Sequence, residues 1–116
     1  LPGPTAFIPA LLLSGFSSDK FIFEGFLPLK KGRKTRLLVL SQEKRTMIFY
    51  ESPHKLLKTL NEFKSIFGPS RRVSISRELT KLYEETLRAD MEEICKVFLS
   101  KKPKGEFVIV VEGKDK

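Results

Sequence analysis

The stretch Thr46-Met47-Ile48-Phe49-Tyr50-Glu51-Ser52-Pro53 decides the fold of this 116-residue chain. Its first six residues are mostly apolar on both faces, which predicts a strand inside a sheet. Ser52 is a good N-cap and Pro53 suits the first helical position, so a helix is expected to begin there. The apolar stripe of that helix ends at Gly68-Pro69 and consists of Leu56, Leu57, Leu60, Phe63, Ile66 and Phe67.

A second strand pattern follows this helix. Arg72-Val73-Ser74-Ile75-Ser76-Arg77 alternates cleanly, and strand, helix and strand with short joints predict a right-handed crossover between parallel strands. The run at 106–111 is almost unbroken in its apolar character and is expected at the sheet centre. Other predicted elements are helices over 4–14, over 32–42 and from Asp90, where Glu93 has capping-box spacing, and extended segments over 21–26 and 85–89. The chain is therefore predicted to be a layered α/β domain with a mixed sheet of four or five strands flanked by helices.

Composition narrows the class of protein. Hydrophobic residues make up 41% and charged residues 31% of the chain, and no apolar run approaches the roughly 20 residues of a membrane span. We expect a cytoplasmic protein that does not contact a membrane. Cys95 is the only cysteine and His54 the only histidine, so neither a disulfide nor a zinc cluster is predicted. Cys95 is expected to be a small core residue that lies on a helix, and His54 is expected to be exposed near the start of a helix.

The net charge of +8, from 22 basic against 14 acidic residues, is compatible with a polyanionic partner or with solvated lysine faces alone. Five of the seven positions over 30–36 are basic, and no aromatic residue lies among them. Such a run suits contacts to phosphates better than base stacking, although a solvated helix start has the same pattern. The candidate RNA contacts are Lys30, Lys31, Arg33, Lys34 and Arg36.

Polar groups at strand ends are candidates for a ligand site. Glu51 and Glu78 lie where two strands end, and Glu106 lies where the last strand begins. Ligands of open α/β sheets collect at the carboxyl ends of strands, so two parallel neighbours would direct Glu51 and Glu78 into one cleft. A surface Arg–Glu pair explains the same spacing equally well. The opening turn Leu1-Pro2-Gly3-Pro4-Thr5-Ala6 either holds a ligand with backbone N–H groups or simply connects a strand to a helix.

Five motifs in order along nearly the whole chain carry a family resemblance: Leu1-Pro2-Gly3-Pro4-Thr5-Ala6, Phe23-Glu24-Gly25-Phe26-Leu27-Pro28, Phe49-Tyr50-Glu51-Ser52-Pro53-His54-Lys55, Arg77-Glu78-Leu79-Thr80-Lys81 and Gly105-Glu106-Phe107 to Val111-Glu112-Gly113. Together they resemble the C-terminal domain of the tetrapyrrole (corrin/porphyrin) methylases. Within that family they are most similar to the branch that 2′-O-methylates a cytidine in small-subunit ribosomal RNA.

This resemblance implies a two-domain enzyme, commonly a homodimer, that binds S-adenosylmethionine in a cleft between its domains. The chain would be the second domain only, over residues 1–116, without the N-terminal domain and its Gly-rich cofactor loop. By the same resemblance no metal is involved, no catalytic residue is identified, and the cofactor-binding residues are Pro2, Gly3, Thr5, Ala6, Phe49, Tyr50, Glu51, Glu78, Leu79, Thr80, Gly105 and Glu106.

Two departures from the porphyrin-modifying branch bear on the substrate. That branch more often has an aliphatic residue at the position of Pro4 and an apolar one at the position of Glu51. Both differences favour ribosomal RNA, or the small ribosomal subunit, over a corrin or porphyrin. The expected function is S-adenosylmethionine-dependent ribose methylation of small-subunit ribosomal RNA. A corrin or porphyrin methylase and a basic RNA-binding module without activity of its own are the alternatives.

Overall fold

The computed structural model describes residues 7–78, 83–100 and 104–114. Within this part of the chain, helices and strands follow one another in the order that the sequence predicts, and five strands form one mixed sheet. The predicted α/β class is therefore confirmed. The elements are α1 (Phe7–Ser14), β1 (Phe21–Gly25), α2 (Arg33–Leu40), β2 (Thr46–Glu51), α3 (Leu56–Phe67), β3 (Arg72–Glu78), β4 (Tyr83–Asp90), α4 (Met91–Ser100) and β5 (Glu106–Val111).

Of the two predicted N-caps, the one for α3 is wrong and the one for α4 is correct. α3 begins at Leu56, with Lys55 and not Ser52 at the N-cap position, and the Ser52 backbone N–H donates to the Glu51 carboxylate at 2.9 Å. Residues 52–55 instead form a turn between β2 and α3. At α4 the prediction holds, since the Asp90 carboxylate accepts a hydrogen bond from the backbone N–H of Glu93 at 2.9 Å.

The strand order in the sheet is β1-β2-β5-β3-β4. β1 pairs with β2 in parallel, whereas β5 is antiparallel to both β2 and β3, and β4 is antiparallel to β3. β2 and β3 consequently run in the same direction, as the predicted crossover requires, but they are not neighbours. The central position expected for β5 is confirmed, and five of its six residues are buried.

The two faces of the sheet are covered differently. On the three-helix face, which carries α2, α3 and α4, a large core is formed with side chains of alternating strand positions such as Phe49, Ile75 and Phe107. On the α1 face, a smaller cluster packs under α1 and consists of Ala10, Leu11, Ile48, Tyr50, Val108 and Val110. The alternation of side chains along each strand assigns every buried strand residue to one of these faces.

A close backbone approach fixes the end of the last motif. Gly113 follows β5 and lies against the backbone carbonyl of Lys44, so a Cβ at position 113 would overlap the Lys44 carbonyl oxygen. Only glycine fits there without a backbone shift. In the described residues, no helix has both the length and the apolar character needed to cross a membrane.

Candidate functional site

Three strand ends with carboxylate residues meet at one end of the sheet, here called the carboxyl edge and defined by Glu51, Glu78 and Glu106. In the β2–β5 register Glu51 pairs with Phe107, and in the β3–β5 register Glu78 pairs with Glu106. The cleft prediction assumed that β2 and β3 are neighbours, and that assumption is wrong because β5 lies between them. Since β5 is antiparallel to both, the ends of β2 and β3 still share one edge with the start of β5.

The residues of β2 near this edge have different surroundings. The Phe49 side chain is 1% exposed and packs in the core, with its ring centroid 4.9 Å from that of Phe63. Tyr50 faces the other side of the sheet, where the rings of Phe23 and Phe26 meet it edge-on at 5.1 and 5.6 Å. Of the predicted cofactor contacts in β2, Phe49 therefore has its side chain in the core, and its backbone lies between β1 and β5.

Glu51 is the polar residue that closes β2, and it is only 6% exposed. Its carboxylate accepts a hydrogen bond from the Thr59 hydroxyl at 2.7 Å, in addition to the one from the Ser52 N–H. Thr59 Oγ1 in turn accepts a hydrogen bond from Arg33 Nη2 at 3.0 Å. The buried carboxylate thus has its hydrogen bonds satisfied from inside the protein, as burial of a charge requires.

Arg33 continues this chain of hydrogen bonds to α3. Its guanidinium donates to the Glu62 carboxylate through Nη2 at 2.7 Å and through Nε at 3.1 Å, and through Nη1 to the Pro28 carbonyl at 3.0 Å. We call Glu51, Thr59, Arg33 and Glu62 the Arg33 network. The sequence pattern does not predict a role for Thr59 or Glu62, although a threonine inside the apolar stripe of α3, three residues after Leu56, is a detectable signal.

The structure divides the basic run into two groups. The guanidinium of Arg33 is bound in the network, and that of Arg36 is bound to Glu24 with a shortest distance of 2.6 Å. The bond to Glu24 raises the pKa of Arg36. Lys30, Lys31 and Lys34 are exposed and form no ion pair within the described residues. Three of the five candidate RNA contacts therefore carry a positive charge that forms no ion pair with the described residues.

The remaining predicted site residues are placed only in part. Gly105 adopts a positive φ of 86° immediately before β5, and Glu106 is exposed at the carboxyl edge. Glu78 is placed at the edge through its backbone. The other predicted cofactor contacts lie outside the described residues and are Pro2, Gly3, Thr5, Ala6, Leu79 and Thr80.

The single cysteine and the single histidine lie where the sequence predicts. Cys95 is 4% exposed in α4, and burial raises the pKa of its thiol, which disfavours the reactive thiolate. His54 is exposed in the turn before α3. Among residues 7–78, 83–100 and 104–114, no group of three or more His, Cys, Asp or Glu side chains is arranged to hold a metal ion.

Known proteins resemble the chain in sequence and in fold. No model of a known protein family matches it. Ribosomal RNA small subunit methyltransferase I of Thermotoga maritima is 46% identical over 115 residues, covering 99% of this chain and 51% of the relative. The proteins of the same name from Synechocystis sp. and Escherichia coli O157:H7 are 44% and 46% identical, each over 97% of this chain and 41% of the relative.

The crystal structure of the methyltransferase CobJ matches with a TM-score of 0.67 at 20% identity, over 97% of this chain and 49% of that one. The fold is therefore that of the tetrapyrrole methylases, as the motifs predict. The identity to the relatives is much higher and extends over nearly all of the chain. In sequence the chain is similar to the ribosomal RNA small subunit methyltransferases I over nearly its whole length. It spans about half the length of the curated relatives it matches.

Proposed function

We propose that this chain is the C-terminal domain of an S-adenosylmethionine-dependent methyltransferase that 2′-O-methylates a cytidine in small-subunit ribosomal RNA. The observation that carries the proposal is the 46% identity, over 99% of the chain, to a relative named ribosomal RNA small subunit methyltransferase I. The proposal includes a two-domain protein in which the other domain completes the cofactor site. A homodimer in the cytoplasm, acting on the small ribosomal subunit, is part of the same proposal.

The hydrogen-bond acceptors at the carboxyl edge fit this cofactor. S-adenosylmethionine has a positive sulfonium, an ammonium and two ribose hydroxyls, and when bound it would supply the methyl group. Glu106 presents an exposed carboxylate at the edge, and the backbone groups of Gly105 and of the end of β2 lie beside it. Carboxylates and carbonyl oxygens accept hydrogen bonds from hydroxyl and ammonium groups. These residues would hold the cofactor from one side, together with Pro2, Gly3, Thr5, Ala6, Leu79 and Thr80.

This chain contributes positioning to the reaction. Methyl transfer to a ribose hydroxyl needs an in-line approach, so holding the two reactants in a fixed geometry accounts for much of the rate. The Arg33 network fixes the end of β2 against α3 and makes that part of the edge rigid. The exposed lysines of the basic run would neutralise backbone phosphates and set the position of the RNA without reading its sequence.

The test is an acceptor assay on the full-length protein with labelled S-adenosylmethionine. We expect label in small-subunit ribosomal RNA, at a cytidine ribose, and we expect calorimetry to show cofactor binding. Label in a corrin or porphyrin but not in RNA would replace this substrate with a tetrapyrrole. Absence of cofactor binding would leave a basic RNA-binding module as the explanation.

A matched pair of variants tests the site. Glu106→Ala removes a carboxylate from the carboxyl edge and is expected to weaken cofactor binding, whereas Lys44→Gln changes an exposed residue at the opposite end of β2 and is expected to leave it unchanged. Equal cofactor affinity in the two variants would remove Glu106 from the site. Residues 1–116 alone are expected to bind the cofactor weakly and to transfer no methyl group.

A further inference from the structure

An open groove runs along the outer surface of α3. Its larger part has a volume of about 660 Å³, and an adjoining part of about 220 Å³ lies between α3 and α2. The two parts share Glu62 and Ser65. We call this surface the α3 groove, with its polar lining formed by Lys34, His54, Lys58, Asn61, Glu62 and Ser65.

The lysines of this groove carry positive charges that are not neutralised by the described residues. Glu62 is the carboxylate in its lining, and the guanidinium of Arg33 neutralises it through hydrogen bonds from both Nε and Nη2. Lys34 and Lys58 are exposed and form no ion pair with any residue that the structure describes. Asn61 and Ser65 add exposed hydrogen-bonding groups that suit phosphate or sugar oxygens.

The groove extends along α3 away from the carboxyl edge. It begins at His54, three residues after Glu51, and so starts next to the carboxyl edge. α3 has 12 residues, which gives a length of about 18 Å at 1.5 Å per residue. α2 begins near the same edge, with the exposed Lys30 and Lys31 directly before it. A bound polyanion would therefore lead from the carboxyl edge outward between these lysines.

We propose that the α3 groove binds the sugar–phosphate backbone of the RNA substrate beside the nucleotide that is modified. Lys34 and Lys58 contact phosphates, and Arg33 acts as a positioning residue that cancels the charge of Glu62 instead of contacting RNA. An acidic protein segment is the other class of partner that lysines could attract. The net charge of +8 and the lysines at the start of α2 favour a long polyanion over a short peptide. This proposal rests on the proposed RNA substrate.

The experiment measures how full-length protein binds transcribed small-subunit ribosomal RNA at salt concentrations between about 50 and 200 mM, where counterion release dominates. The plot of log affinity against log salt has a negative slope. We expect the Lys34→Gln, Lys58→Gln double variant to make this slope shallower, by about 0.7 for each lysine. At about 0.1 M salt this corresponds to about a fivefold loss of affinity per lysine. Cofactor affinity and the thermal midpoint are expected to stay unchanged, since both side chains are exposed.

The control is Lys44→Gln, which removes one lysine charge from the far end of the sheet, whereas the double variant removes two from the groove. A double variant with the slope of this control would overturn the groove proposal, and a groove that serves a protein partner would give that result. Methyl transfer by the parent protein to the same RNA is measured first. If the parent methylates the RNA and the double variant binds like the control, only the groove proposal fails; if the parent neither binds nor methylates RNA, the proposed function fails as well.

Discussion

The two faces of the sheet differ in how they are closed. On the three-helix face, 18 buried residues form one continuous core beneath α2, α3 and α4. Among the side chains that the structure describes, the α1 face has six buried residues in its cluster, and beside them Phe21, Phe23 and Phe26 remain 36%, 45% and 47% exposed. Both faces bury polar residues, Ser74 and Ser76 on the α1 face and Glu51 and Thr59 on the three-helix face. Stability is therefore expected to depend on the three-helix face far more than on the α1 face.

The strongest test of this difference compares two phenylalanines. Phe63 is 0% exposed on the three-helix face and packs against Phe49 and Phe67, so Phe63→Ala is expected to lower the free energy of unfolding by about 3–5 kcal/mol. Phe23 is 45% exposed and meets Tyr50, so Phe23→Ala is expected to cost less than about 1.5 kcal/mol. Denaturant unfolding measures both values. Similar losses would show that the α1 face is as important for stability as the three-helix face.

Two arginines of the basic run sharpen the comparison. Arg33 links α2 to α3 within the three-helix face, with its side chain 13% exposed, whereas Arg36 binds Glu24 at the surface and is 44% exposed. Arg33→Met leaves Thr59 and Glu62 without their donor and is expected to cost about 1–3 kcal/mol, while Arg36→Met costs below about 1 kcal/mol. Thermal unfolding of the two variants checks this order. A larger loss at Arg36 would contradict the structural role given to the Arg33 network.

The smallest effects are expected from two serines on the α1 face. Ser76 shares a hydrogen bond with Thr86 at 3.1 Å, so Ser76→Ala is expected to cost about 1 kcal/mol. The buried Ser74 hydroxyl has no hydrogen-bond partner among the described residues, so Ser74→Ala is expected to be neutral or slightly stabilising. Denaturant unfolding again gives both values. A clear loss for Ser74→Ala would mean that its hydroxyl is bound in solution.

Local patterns in the sequence predict most of this fold. The apolar stripe of α3 and the unbroken run of β5 identify those elements, because helix and strand periods differ strongly. The predicted start of α3 lies three residues before the observed one, since a capping rule cannot show that a turn, with a hydrogen bond from the Lys55 N–H to the Ser52 carbonyl, precedes the helix. Pairing order is also not encoded locally. The position of β5 between β2 and β3 joins residues that are far apart in sequence.

The candidate site, like the fold, is only partly predictable from the sequence. Glu51 and Glu106 are identifiable as polar residues at strand ends, and the lysines are identifiable from the charge run. The roles of Arg33 and Lys34 differ although they are adjacent, because Arg33 meets Glu62 on a helix 29 positions away. Composition treats both as one basic patch. Only the packing of α2 on α3 separates a charge that is bound within the protein from one that is available.

The central position of β5 also determines the order in which the domain can form. Among the described strands it comes last in sequence, yet the pairs β1–β2 and β3–β4 are joined in the sheet only through it. During synthesis the ribosome must therefore release residues up to Val111 before the sheet can be completed. Until then the inner edges of β2 and β3 stay unpaired, and such edges are prone to aggregate. Late pairing between distant segments is slow, so completion of the sheet by β5 is expected to be the slow step in forming this domain.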